Sequence, residues 1–68
     1  MSEIYTSEEL LDAVRECARD LGCLVGGVSK HGYQRWAQKQ RRARRLVPSE
    51  WTLRHRFGSW GAARAAAD

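Results

Sequence analysis

Thr52, Arg54, His55 and Arg56 stand almost side by side and offer hydrogen-bond groups suited to base edges and phosphates. On an α-helix, Trp51, Arg54 and His55 fall at i, i+3 and i+4 and share an outward face. Leu53 and Phe57, four apart, share the inward one. Arginine reads guanine O6 and N7 through two parallel bonds, while threonine and histidine reach base edges or phosphate. An exposed tryptophan on that same face is also a frequent anchor of protein interfaces. Upstream, Arg41, Arg42, Arg44 and Arg45 crowd the end of another helical segment. Such a run holds phosphates, or it complements the negative end of a helix dipole.

Catalytic chemistry finds little support. A His-Asn-His nuclease site needs asparagine, and the chain has none beside His31 and His55. Cys17, Cys23, His31 and His55 are spaced unlike any common zinc pattern. Neither cysteine has an evident base or pocket for nucleophilic work. Gly26-Gly27 lacks the third glycine and the lysine of a phosphate-binding loop. A non-catalytic chain follows, with no metal, cofactor or small-molecule substrate.

The elements that must position these residues read as helices. Thr6 and Glu9 form a capping-box pair, with Ile4 or Tyr5 placed to staple onto Leu10. Leu10, Leu11, Val14, Cys17, Ala18 and Leu21 then recur at helical spacing. Glu8, Asp12, Arg15, Glu16 and Arg19 occupy the other face, and Gly22 is a stop signal. Ser29 caps a second helix with Tyr33, Trp36, Ala37 and Gln40 inward, and Gly32 sits awkwardly in its first turn. Pro48 ends that helix by constraining the residue before it. Ser49 and Ser59 cap two short helices separated by Gly58. The expected boundaries are about 7–21, 30–44, 50–57 and 60–66, in one domain spanning 1–68. The fold class is all-α: a compact three- to four-helix bundle of helix-turn-helix type.

Sixty-eight residues leave little room for an enclosed cavity. The net charge of +4 is unevenly distributed. Residues 1–20 carry Glu3, Glu8, Glu9, Asp12, Glu16 and Asp20 against two arginines, a balance of −4. Residues 21–68 carry ten basic groups against Glu50 and Asp68, a balance of +8. That division suggests a polyanion-facing surface and a separate acidic face. Arginine outnumbers lysine ten to two, which favours bidentate phosphate recognition, although a GC-rich coding sequence produces the same bias. No run approaches the ~20 apolar residues of a membrane span, and the acidic start lacks signal-peptide character. A cytoplasmic protein with reduced thiols is expected.

The run Pro48-Ser49-x-x-Thr52-Leu53-Arg54-x-Arg56-Phe57-Gly58-Ser59-Trp60-x-x-Ala63 resembles the homing endonuclease-associated repeat. That small helical module occurs beside nuclease domains and in short phage and actinobacterial proteins. Leu11, Ala18, Leu21 and Gly22 resemble its first helix, and Tyr33 and Trp36 its second, so the likeness covers roughly residues 8–66. Trp51 stands where the family usually has a small or polar residue, and the Ala65-Ala66-Ala67-Asp68 ending replaces its usual Gly-Leu.

The resemblance implies a phage-encoded, helix-turn-helix DNA-binding module acting on transcription or DNA transactions, with the short helix as reader. Double-stranded DNA would meet Thr52, Arg54, His55 and Arg56, with Arg41, Arg42, Arg44 and Arg45 on phosphates. The alternative is a host-takeover protein in the host cytoplasm. It would dock through Trp51, Arg54 and His55 on a host protein such as RNA polymerase, whose DNA channel attracts cations, and inhibit transcription.

Overall fold

The computed structural model describes residues 5–68, and within them four helices enclose one core. They are α1 (Ser7–Leu21), α2 (Lys30–Arg42), α3 (Glu50–Phe57) and α4 (Trp60–Ala67), with a single 3-10 turn at Val25–Gly27. No strand occurs among the described residues. This is the all-α bundle expected, in its four-helix form.

Each helix starts in the same way. The side chains of Thr6, Ser29, Ser49 and Ser59 accept from the backbone N–H of Glu9, Gly32, Thr52 and Ala62. Each therefore satisfies one of the donors that a helix start leaves without a partner. At α1 the box is reciprocal, because the Glu9 carboxylate accepts from the Thr6 N–H at 2.8 Å. Gly32 is no longer awkward: a Cβ there would lie 3.0 Å from the capping Ser29 Oγ. The Ile4 half of the proposed staple lies outside the described residues; Tyr5 is half-buried against the core.

The helix ends correct two expectations. α2 stops at Arg42, two residues short of the expected boundary and well before Pro48. Arg44 takes a left-handed conformation, φ 62°, so the Arg45 N–H reaches the Gln40 carbonyl at 2.9 Å. The Arg44 N–H meets the Arg41 carbonyl at 2.9 Å, completing a Schellman closure. α1 closes by the same pattern through Gly22, φ 72°. α4 runs one residue past its expected end, to Ala67, where Arg15 Nε of α1 donates to the Ala67 carbonyl at 2.9 Å.

Leu10, Val14, Cys17, Val28, Tyr33, Leu53 and Ala63 are fully buried, with Leu11, Ala13, Ala18, Trp36, Ala37, Val47, Trp60 and Ala67 around them. Leu21 was expected on the α1 stripe but is 51% exposed, although Ala18 in the same last turn is buried. Phe57 was expected in the core beside Leu53 and is half-buried at its edge. α1 packs against α2 and α4, α2 against α3, and α3 against α4. Tyr33 joins these layers. Its ring lies 5.5 Å from Trp36 and 5.3 Å from Trp60, and its hydroxyl donates to the Pro48 carbonyl at 2.7 Å. Burial pushes the hydroxyl's pKa well above its ordinary value, which keeps it a donor.

Two stability measurements check this account by thermal denaturation. Tyr33→Phe leaves the buried Pro48 carbonyl without its donor, so it should cost ~1–3 kcal/mol and lower Tm by several degrees. Arg44→Gly removes the left-handed penalty and should stabilise the protein by ~0.5–1 kcal/mol.

Candidate functional site

The short helix α3 is fixed at both ends before any ligand is considered. Ser49 caps its start, and its Oγ also lies 2.9 Å from Thr52 Oγ1. Gly58, φ 96°, stops it, and its N–H meets the Arg54 carbonyl at 2.8 Å. Leu53 points into the core. Trp51, Arg54 and His55 point outward, as the helical spacing requires. Trp51 is 59% exposed and stacks on His55, ring centroids 4.8 Å apart and planes 8° from parallel.

A groove runs between α2 and α3. Gln34, Gln38 and Arg41 line it from α2, and Ser49, Glu50, Trp51 and Arg54 from α3. It brings together two arginines that stand far apart in sequence, and it joins the Trp51–His55 face through Arg54. Arg42 and Arg44 are exposed at the C-terminal end of the same α2 helix.

The remaining candidates lie elsewhere. Arg45 turns to α1, where its Nη2 binds both carboxylate oxygens of Glu16, and its Nη1 meets Gln40 Oε1 at 3.3 Å. It ties the α2 exit to α1 and is a poor match for phosphate anchoring. Arg56 is half-buried, and its Nη2 donates to Ser7 Oγ at the start of α1 at 3.1 Å. Thr52 is half-buried beside Ser49, its hydroxyl engaged in the cap. The eight residues expected to contact DNA, four at bases and four at phosphates, therefore divide. Arg41 and Arg54 share the groove, with His55 on the adjoining face, while Arg45, Arg56 and Thr52 serve the fold.

Glu50 was missed by sequence reasoning, which counted it only as a charge. The residue is 5% exposed, with Oε1 accepting from Gln34 Nε2 at 3.0 Å. Oε2 has no hydrogen bond and lies 3.4 Å from Arg54 Nε. The available signal was the i, i+4 spacing of Glu50 and Arg54.

The tightest helix–turn–helix in the chain is α3–Gly58–Ser59–α4. In such motifs the second helix normally enters the major groove. Here that helix is α4, and its exposed positions include Gly61, Ala62, Ala65 and Ala66, which carry no polar side chain. The outward polar groups are on the first helix, α3. Relative to α2, however, α3 is the second element, reached through the longer link at residues 43–49.

Cys17 and Cys23 are both free thiols, the first buried and the second exposed. No three His, Cys, Asp or Glu side chains among the described residues are grouped to hold a metal ion. No helix among them is long and apolar enough to cross a membrane. No family model matches the chain, and no curated protein or solved structure is similar to it.

Burial pushes the Cys17 thiol up from its usual 9.0 to about 12, with Cys23 and Asp20 adding to the shift. At pH 8, iodoacetamide should alkylate Cys23 in the native protein and reach Cys17 only in denaturant, as read by peptide mass mapping. The unfolded chain loses the Cys17 proton at lower pH than the folded one. Stability should therefore fall as pH rises from about 9 towards 12.

Proposed function

We propose that this chain is a small, non-catalytic DNA-binding protein of helix-turn-helix type. Its contact face is the α2–α3 groove together with the outward side of α3. The observation carrying this reading is the convergence of Arg41 and Arg54 on one open groove beside the exposed Trp51–His55 stack. Arg42 and Arg44 extend the cationic surface along the end of α2. Arg41, Arg42 and Arg44 meet phosphates, and Arg54 and His55 meet base edges. The likeness to the homing endonuclease-associated repeat supports the same assignment and a phage-encoded protein working in the host cytoplasm.

The exposure of Trp51 favours a second reading. A flat aromatic pair flanked by Arg54 suits the centre of a protein interface, with arginines at the rim steering association. A host protein with a DNA-handling, acid-lined channel, such as RNA polymerase, is a partner of that kind. On this reading the chain inhibits transcription by docking rather than by occupying DNA.

Fluorescence anisotropy on a 20-base-pair duplex tests the first reading. With three phosphate contacts, the association constant should fall roughly 40-fold between 50 and 200 mM salt. Arg41→Ala should reduce the log–log slope by about one. A flat salt dependence, or no binding at micromolar protein, sinks the proposal. Trp51→Ala separates the two readings: loss of binding to purified RNA polymerase with DNA binding retained favours the protein target.

A further inference from the structure

Glu50 is a buried acid on a helix that the proposed function uses for binding. Its side chain is 4% exposed, whereas its ion-pair partner Arg54 is 47% exposed. An ordinary i, i+4 pair on a helix surface leaves both groups in water and contributes little. Here one partner is taken out of water, and only part of it is compensated. Gln34 satisfies Oε1, and the positive end of the α3 dipole lies beside the first helical residue. Oε2 has only the Arg54 guanidinium nearby, at 3.4 Å from Nε. Moving Arg54 away would strand a buried oxygen, so the Arg54 stem is held over Glu50.

The geometry of arginine makes that restraint useful. The carboxylate faces the Nε side of the guanidinium and leaves the two Nη groups as a planar fork. Arg54 lines both the groove and the Trp51–His55 face, so a fork left free by Glu50 is available at the junction of the two. A fork already aimed loses less conformational freedom when it forms two parallel bonds. Guanine O6 and N7 present the matching pair of acceptors in the major groove.

We propose that Glu50 is a positioning residue that aims Arg54 for bidentate recognition of guanine, giving the protein a preference for G·C-containing duplex. This rests on the DNA-binding reading above and specifies which base that reading favours.

The test compares binding to poly(dG)·poly(dC) and poly(dA)·poly(dT) duplexes at one salt concentration. The wild-type protein should bind the first about tenfold tighter, the scale of one good bidentate contact. In Glu50→Gln the new amide oxygen still accepts from Gln34. Its NH2 replaces Oε2 and offers Arg54 nothing, so the affinity ratio should collapse towards one. Arg54→Lys keeps the charge pair with Glu50 but lacks the fork, and it should lose the ratio with Tm preserved. It decides the matter if Glu50→Gln proves unfolded. A readout free of DNA is the ¹⁵N order parameter of Arg54 Nε, expected to be rigid in the wild type and mobile in Glu50→Gln. Equal wild-type affinity for both duplexes overturns the positioning proposal while DNA binding stands. No wild-type binding to either overturns both. A ratio retained in Arg54→Lys, or in folded Glu50→Gln, also overturns it.

Discussion

The fold depends on how the hydroxyl of a fully buried tyrosine is satisfied. Tyr33 lies among Trp36, Trp60 and the α1 residues of the core, where an unpaired hydroxyl would be costly. Its partner is the Pro48 carbonyl, one residue before the Ser49 cap of α3. The bond therefore fixes where α3 begins relative to α2. Everything on the contact face inherits that position: Glu50 enters the first turn next to Gln34, and Arg54 comes to lie across the groove from Arg41. Two indole donors fasten the remaining layers. Trp60 Nε1 reaches the Val28 carbonyl at 3.1 Å, and Trp36 Nε1 reaches Asp20 at 2.8 Å. A chain this small has few apolar side chains to spare, so directional bonds at the rim of the core do much of the positioning.

That economy also explains the division among the arginines. Arg15 closes the end of α4, Arg45 binds Glu16 of α1, and Arg56 reaches Ser7. These three connect elements distant in sequence and use a carbonyl, a carboxylate and a hydroxyl of the protein itself as acceptors. Arg41, Arg42 and Arg44 project from the last turn and exit of α2, with no such tether to α1. Arg54 is intermediate, its Nε beside Glu50 and its side chain about half exposed. Net charge alone describes none of this, because it weighs a structural guanidinium and an available one equally.

Much of the fold was legible because its signals are local. Four hydroxyl caps and two stop glycines marked the helices, and cap chemistry depends only on residues within a turn. The end of α2 was misread because arginine rarely takes a left-handed conformation, so nothing in residues 41–45 announced the closure that Arg44 makes. Val28 and Val47 entered the core from connectors, where no periodicity marks them. At the site, the outward placement of Trp51, Arg54 and His55 followed from helical spacing. The engagements of Arg45, Arg56 and Thr52 did not, since two of the three depend on contacts with α1 across the fold.

The size of α3 limits what the contact face can do. Eight residues rise about 12 Å, little more than two turns, so only one side of two turns faces a partner. Thr52 is spent on the cap and Leu53 on the core, which leaves Trp51, Arg54 and His55 as the outward set. Three side chains cannot supply both register and selectivity on a duplex. Register must come from α2, whose C-terminal arginines lie beyond the groove from that set, and selectivity from how firmly Arg54 is aimed. The same limit applies to a protein partner, where a stacked tryptophan provides the anchor and the α2 arginines the orientation. In either case the face works as two unequal parts, and the buried Glu50 lies between them.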